Sequence, residues 1–376
     1  MFYVICAVWV LSLAIVMWGL RSLKYLRAVP TYAGREIKVS VIVAARNEAD
    51  TIEQALHSLL HQDYPNYDVV VANDRSSDST GAILQRMQRE FPQLQVVEIE
   101  DLPARWLGKN NALHVAAANA TGNYILFTDA DVVMQPSTLS RAVSFCETNR
   151  IDHLAVFPAL PAPSYWTGAC FSLFGLGFLM MTQPWFARNG KTPMPVGVGA
   201  FNFVRRRKYA EIGGHSTIAL RPDDDLALAF RLRNAGSRQD ILIGVDQVSV
   251  EWYPNFGAFI RGLEKNAFAP FRYSMLPVTV AMLLHFMAYV VPWLGLFLGG
   301  RATWVCGLTV AAQMLTLSAT APVADRPWRF APVILFASLT FEYAVFRAVF
   351  LTLKRGGIQW RDTFYPLDLL KTNPLD

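Results

Sequence analysis

Charge is scarce in this sequence: Asp, Glu, Lys and Arg make up 17% of its 376 residues, against 53% for the hydrophobic types. A purely soluble protein rarely shows that balance, and the length leaves room for one sizeable α/β domain plus an apolar portion. Cysteine is sparse as well. Cys6, Cys146, Cys170 and Cys306 are scattered without a CxxC pair, which leaves no basis for a disulfide framework or a thiolate zinc site. No internal repeat or low-complexity linker is visible, so solenoids and tethered arrays drop out. The formal charge is only +5. In a chain this apolar it reflects basic segments facing anionic lipid, and no nucleic-acid partner is expected.

The missing charge is concentrated in a few runs. Met1–Leu20 and Met275–Gly300 hold no charged side chain, and two further apolar runs follow, Ala302–Val323 and Ala331–Leu353, the second with Glu342 and Arg347. A bilayer core takes about 20 apolar helical residues. Residues 1–21 are therefore expected to form an N-terminal transmembrane helix. Residues 275–353 are expected to form a C-terminal transmembrane region of about three helices, with a tail at 354–376. No Lys or Arg precedes the first run and no small-residue cleavage site is evident, so it reads as a retained anchor rather than a signal peptide. Arg21, Lys24 and Arg27 place the following residues on the cytoplasmic side. The topology does not close. Three crossings after a cytoplasmic domain leave the tail outside, whereas Lys354, Arg355, Arg361 and Lys371 argue for the inside. One of the runs is then re-entrant or interfacial.

Between residues 36 and 272 the pattern becomes that of a water-soluble α/β domain. Lys38–Ala44, Asp68–Ala72, Gln95–Ile99 and Tyr124–Thr128 read as strands. Ala49–His61 and Asp78–Glu90 have helical apolar spacing. Strands alternating with helices imply a mostly parallel sheet. In such sheets ligands bind at the carboxyl ends of the strands, where Arg46–Glu48, Asn73–Asp74 and Asp129–Asp131 fall. Tyr165–Phe186 is apolar and aromatic without a polar face; it is either an interfacial helix near the site or a buried core helix.

Four segments carry candidate chemistry. In Thr128-Asp129-Ala130-Asp131 both acids can reach one cation, an oxygen-preferring Mg²⁺ or Mn²⁺; the alternative is a loop whose acids cap the next helix. Asn73-Asp74-Arg75-Ser76-Ser77-Asp78-Ser79-Thr80 either turns and caps the chain or offers Asp74 to a base or ribose. Lys109, just before a helix, suits a diphosphate or is a surface lysine. Pro222-Asp223-Asp224-Asp225 opens a helix, where acids suit the dipole. Three in a row exceed that need, and crowding would push one toward a general base.

Taken in order, these segments resemble the inverting family 2 glycosyltransferases of the GT-A, Rossmann-like nucleotide-sugar fold. The likeness runs from Val39–Glu48 through Asp74, Gly108-Lys109, Asp129-Ala-Asp131 and Ile212-Gly-Gly-His215 to Asp224-Asp225-Leu-Ala-Leu228. The membrane runs and Gly356-Gly-Ile-Gln-Trp360 are further similar to the branch that glycosylates lipids, including hopanoid-associated and ceramide glucosyltransferase-like proteins. The resemblance implies a nucleotide-sugar donor, a lipid acceptor, and a bacterial-type inner or plasma membrane with a cytoplasmic catalytic domain. It implies that Ala45 and Glu48 line the nucleoside site, Asp74 binds the base and Lys109 approaches the diphosphate. Asp129 would stand on the ribose or diphosphate side and join Asp131 at the metal. Asp225 would be the catalytic base, supported by Asp224.

The sequence departs from that pattern in four places. Ala44 or Ala45 stands where Pro is usual, and Asn73 replaces an acid. The tail reads Trp360-Arg361-Asp362. The (Q/R)xxRW segment is absent; Arg261-Gly-Leu-Glu-Lys265-Asn266 stands near its place, so Lys265 or Arg261 is expected to supply the charge to the leaving diphosphate. That absence favours single transfer to lipid over a processive polysaccharide synthase. A non-catalytic membrane scaffold or transport protein with a degenerate donor domain is the rival from another class, and Asp129, Asp131 and Asp225 speak against it.

Overall fold

The computed structural model describes residues 1–190, 195–360 and 363–372, except the side chain of Lys265. Arg361 and Asp362 of the tail therefore lie outside the described residues. The chain forms two units. One comprises Leu23–Ala159 and Pro184–Glu251, the other Met1–Ser22, Leu160–Gln183 and Trp252–Thr372.

The first unit is built on an eight-stranded sheet. Its strands, with those of a small second ladder, are β1 (Lys24–Tyr25), β2 (Val39–Ala45), β3 (Tyr67–Asp74), β4 (Leu94–Ile99), β5 (Tyr124–Asp129), β6 (Val132–Met134), β7 (His153–Phe157), β8 (Asn202–Arg205), β9 (Gln239–Ile243) and β10 (Val248–Val250). The sheet order is β1-β9-β7-β8-β5-β2-β3-β4, and β6 pairs with β10 apart from it. All pairings in the large sheet are parallel except those of β8, which runs antiparallel to both β5 and β7. The expected mostly parallel α/β sheet is thus present, and all four expected strands lie within one or two residues of their predicted bounds. The continuous Val and Ile run of β2 is buried nearly throughout, as a central parallel strand covered on both faces requires.

Register brings the chemistry to one edge. Ala45 of β2 is opposite Asn73 of β3, and Ala44 is opposite Asp129 of β5, so three strands end together. The helices Gly108–Ala117 and Asp224–Asn234 pack on one sheet face, with Ala112, Leu113, Ala116, Leu228 and Leu232 against Ile42, Val70, Ile125 and Phe127. Each fully buried Leu, Ile or Val there contributes about 1.5–3 kcal/mol relative to exposure. Both helices start at the edge where the strands end, and that is where Lys109, Asp224 and Asp225 sit.

The second unit is helical and apolar. Four helical stretches are long and apolar enough to cross a membrane: Phe2–Ser22, Tyr165–Asn189, Met275–Gly295 and Ala331–Arg355. The run Ala302–Val323 is helical over Gly300–Ser318; Arg301, Gln313 and three threonines temper its apolarity. Several polar groups inside this unit are paired. Trp9 Nε1 donates to Ala288 O at 3.0 Å, His285 Nδ1 lies 2.8 Å from Glu342 Oε1, and Arg347 pairs with Glu264. A hairpin of β11 (Gly357–Trp360) and β12 (Thr363–Pro366) follows the last long helix.

Candidate active site

The loops after β2 and β3 are tied into one surface. Backbone N–H groups of Asn47, Glu48 and Ala49 donate to Ser76 Oγ, Thr80 Oγ1 and Asp78 Oδ2 at 3.0, 2.8 and 3.2 Å, and Ser77 N donates to Asn47 Oδ1 at 2.7 Å. Asn47 and Arg75 hold left-handed backbone with φ of 52° and 53°, a conformation non-glycine residues adopt at a cost and in tight loops. The Ser, Asp and Thr of the second motif therefore act as loop fasteners. Asp74 is buried at the end of β3, its carboxylate gripped by Arg75 through Nε at 2.8 Å and Nη2 at 3.0 Å, with Arg46 Nη1 at 3.6 Å. Gly108 starts the next helix so close that a Cβ there would lie 2.7 Å from Asp74 Oδ2. The glycine lets a helix N-terminus approach the carboxyl end of β3.

One residue further, Lys109 reaches across the edge. Its Nζ lies 2.8 Å from Asp129 Oδ1 and 3.3 Å from Asp224 Oδ1. Burial alone would weaken the ammonium, but Asp129 and Asp224 overcome it and hold the pKa well above the usual lysine value. The three consecutive acids of the Asp223–Asp225 run have separate fates. Asp223 is clamped by Arg221 at 2.9 and 2.6 Å, and Asp224 is neutralised by Lys109. Asp225 has no ion pair among the described residues; its Oδ1 accepts only from Leu226 N at 2.8 Å. Burial, followed by the neighbouring Asp224 charge, pushes its carboxyl up to about 6. A carboxylate so poised accepts a proton near neutral pH.

Asp129 ends β5, and Ala130 and Asp131 turn the chain into β6. Ala130 is buried, in keeping with the acids and the alanine facing different ways. Asp131 Oδ1 is buried without a hydrogen-bond partner among the described residues. Burial, then Asp129 and Glu48, push that carboxyl up to about 7. A buried acceptor beside a second carboxylate fits an oxygen-preferring divalent cation. No group of three or more His, Cys, Asp or Glu gathers into a complete metal cage among the described residues. The donor set therefore suits a cation that takes its remaining ligands from water and phosphate.

Lys109, Asp129, Asp224 and Asp225 line one hollow, together with Phe127, Gly199, Asn202 and His215. Gly199 separates the acids: a Cβ there would sit 3.0 Å from Asp129 Oδ2 and 3.6 Å from Asp225 Oδ2. Ala45 and Glu48 stand at the β2 end rather than in this hollow, and the Lys265 side chain lies outside the described residues. Sequence reasoning missed Asn110. Fully buried, it donates through Nδ2 to Ile218 O, Ala219 O and Arg221 O at 2.8, 3.2 and 2.8 Å. It thereby stitches the loop that leads into Asp223–Asp225 onto the helix that carries Lys109. Its place directly after Lys109 was the available signal. An amide that must bind several carbonyls cannot be told from a solvated one by spacing alone.

Residues 40–213 match the model of the family described as Glycosyl transferase family 2. It is 27% identical over 237 residues to a beta-monoglucosyldiacylglycerol synthase of Trichormus variabilis, 60% of this chain and 48% of that protein. The protein of the same name from Synechocystis sp. is 28% identical over 238 residues, with the same coverages of 60% and 48%. A 4,4'-diaponeurosporenoate glycosyltransferase of Staphylococcus aureus is 37% identical over 94 residues, 25% of this chain and 24% of that one. The chain spans about half the length of the monoglucosyldiacylglycerol synthases it matches. Among solved structures, the mannosyltransferase PcManGT from Pyrobaculum calidifontis in complex with GDP-Man and Mn²⁺ has a TM-score of 0.53 at 20% identity, covering 92% of this chain and 99% of its own. The GT-A fold is shared.

Proposed function

We propose that this protein is an inverting, metal-dependent hexosyltransferase that moves a sugar from a nucleotide-sugar, by resemblance a UDP-sugar, to a hydroxyl of a membrane lipid. The observation that carries the reading is the separation of roles at the hollow: Asp224 and Asp129 hold Lys109, while Asp225 stays without an ion pair. Asp225 is the base. It takes the acceptor's proton as that oxygen attacks the anomeric carbon, and the bond to the β-phosphate breaks on the opposite face, so a single displacement inverts the centre. Lys109, at a helix N-terminus, supplies positive charge toward the diphosphate. Ala45, Glu48 and Asp74 form the nucleoside side. Asp131 and Asp129 hold Mg²⁺ or Mn²⁺, which when bound stabilises the charge gathering on the leaving diphosphate. The solved neighbour's Mn²⁺ and GDP-Man support a metal and a sugar nucleotide at such a fold.

The lipid acceptor rests on the four apolar helices and on relatives named for monoglucosyldiacylglycerol. In this reading residues 36–272 are the cytoplasmic donor domain, tied to a bacterial-type inner membrane by 1–21 and 275–353. The test is turnover by detergent-solubilised protein with Mn²⁺ or Mg²⁺, a panel of UDP-sugars and a total lipid extract, beside Asp225→Asn. A new glycolipid made by the parent and lost in the variant supports the reading. UDP release without glycolipid removes the lipid acceptor from it. No consumption or binding of any sugar nucleotide sinks it.

A further inference from the structure

One buried polar chain runs across a face of the sheet to the wall of the hollow. Asn202 of β8 is opposite Phe127 of β5 and Ala155 of β7, and His153 of β7 is opposite Gln239 of β9. Opposed residues share a sheet face, and residues two apart along a strand do too. Phe127, Asn202, His153 and Gln239 therefore share the face covered by the helix Asp224–Asn234. All three polar side chains are nearly sealed, at 2%, 0% and 5% exposure for Asn202, His153 and Gln239. An uncompensated polar atom in such a place is costly, so each hydrogen must be accounted for.

The accounting has one solution. Gln239 Nε2 lies 2.7 Å from Ala229 O; a reversed amide would set two carbonyl oxygens against each other, so this atom is the NH₂. Its other hydrogen points at His153 Nδ1, 2.9 Å away, which makes Nδ1 an acceptor. The imidazole is neutral, because burial pulls its pKa down to about 4 against the opposing hydrogen bond to Asn202. Its proton then sits on Nε2 and is donated to Asn202 Oδ1. Asn202 is held with its oxygen toward His153 and its NH₂ turned the other way. That NH₂ has no acceptor among the described residues, and Asn202 lines the hollow beside Asp129 and Asp225.

We infer that Asn202 is a specificity-determining residue, its NH₂ donating to a hydroxyl of the donor's sugar, with His153 and Gln239 as positioning residues that fix its direction. The inference rests on the donor-site reading above, and it assigns the recognised group: a hydrogen-bond acceptor on the hexose rather than on the nucleoside diphosphate. Asn202→Leu keeps the branching at Cγ and removes the donor. His153→Phe keeps Asn202 but removes its anchor.

The full chain in detergent is titrated with UDP and with UDP-glucose, UDP-galactose and UDP-N-acetylglucosamine. Asn202→Leu is expected to weaken the sugar nucleotide preferred by the parent by about tenfold or more, a lost charge-free hydrogen bond with a partner left unmade, and to leave UDP affinity unchanged. His153→Phe is expected to give a smaller loss of the same kind. Deoxy analogues of the preferred sugar complete the cycle: the parent discriminates against one of them and Asn202→Leu does not. UDP and sugar nucleotide weakening together, or neither weakening, overturns the assignment while the transferase reading stands. A parent that binds no member of the panel overturns the transferase reading, and this inference with it.

Discussion

Lys109 Nζ stands 2.8 Å from Asp129 Oδ1, so the cation at the start of one helix neutralises the acid at the end of the central sheet. It also faces Asp224 at 3.3 Å, which makes it a bridge between the strand end and the acidic helix start. Lys109→Met removes the ammonium that faces both Asp129 and the buried Asp224. Turnover is expected to fall about 10²–10³-fold, the size seen when one preorganised donor to a developing oxyanion is removed. UDP affinity is expected to fall with it, as isothermal titration would show. A variant with unchanged UDP affinity would place Lys109 away from the diphosphate.

Asp225→Asn keeps the shape of the site and removes the proton acceptor. kcat is expected to drop about 10²–10⁴-fold, the usual contribution of a positioned base, with UDP affinity nearly unchanged. In the parent, the base works only when deprotonated. With its carboxyl pushed up to about 6, kcat/KM should fall roughly tenfold per pH unit below that value and level off above it. A profile that stays flat between pH 5 and 8 would assign the proton to another group.

The strand ends and their acids were legible because the signals are local: Val39–Val43 and Val69–Val71 are short, mostly β-branched runs, each followed after one or two alanines by polar residues. The division of labour in Asp223–Asp225 was not. It depends on Arg221 two residues upstream and on Lys109 more than a hundred residues away. The hydrogen-bonded chain that joins Asn202, His153 and Gln239 was not legible, for a stronger reason. They are uncharged singletons on three short strands, and only the β7-β8 and β7-β9 pairings bring them together. The helix Gly300–Ser318 shows the limit of apolar runs. Run length alone ranked it with its neighbours, whereas Arg301 and Gln313 set it apart from the four most apolar helices.

Metal removal separates Asp131 from Asp225. Chelation is expected to abolish turnover, and added Mn²⁺ or Mg²⁺ to restore it. Asp131→Asn removes the unpartnered buried oxygen's charge, so half-maximal activation should move to clearly higher metal concentration. Asp225→Asn should leave that midpoint in place. Full activity in excess chelator would refute the cation assignment outright.

Asn110→Ala tests whether the acidic run needs its tether. The amide holds three carbonyls of the 218–221 loop, and losing a buried donor typically costs about 1–3 kcal/mol. The melting temperature of the solubilised chain should fall accordingly. Because the same loop leads into Asp224 and Asp225, kcat should fall more than UDP affinity does. Equal losses in both would mean that the whole edge, including the nucleotide side, had loosened.

The acid limb of stability is set by groups that oppose one another. Burial pulls His153 down to about 4 and, with help from Lys109 and His114, pulls His215 down to about 3. Below their unfolded value of about 6.5 the unfolded chain binds these protons and the folded chain does not, so their contribution to stability is lost as pH falls from 6.5 toward 4. Asp225 and Asp131 run the other way. Their raised values let the folded chain bind protons that the unfolded chain releases, which favours the fold as pH falls from about 7 to 4. The two pairs act in opposite directions in the parent, so each offsets the other in its melting temperature in chelator. Asp225→Asn removes one opposing acid. Relative to the parent it should be more stable at pH 7, where a crowded charge has been relieved, and should lose that advantage steadily as pH falls to 4. A difference between the two melting curves that does not vary with pH would mean that Asp225 titrates like an exposed carboxylate, and the base assignment would lose its physical footing.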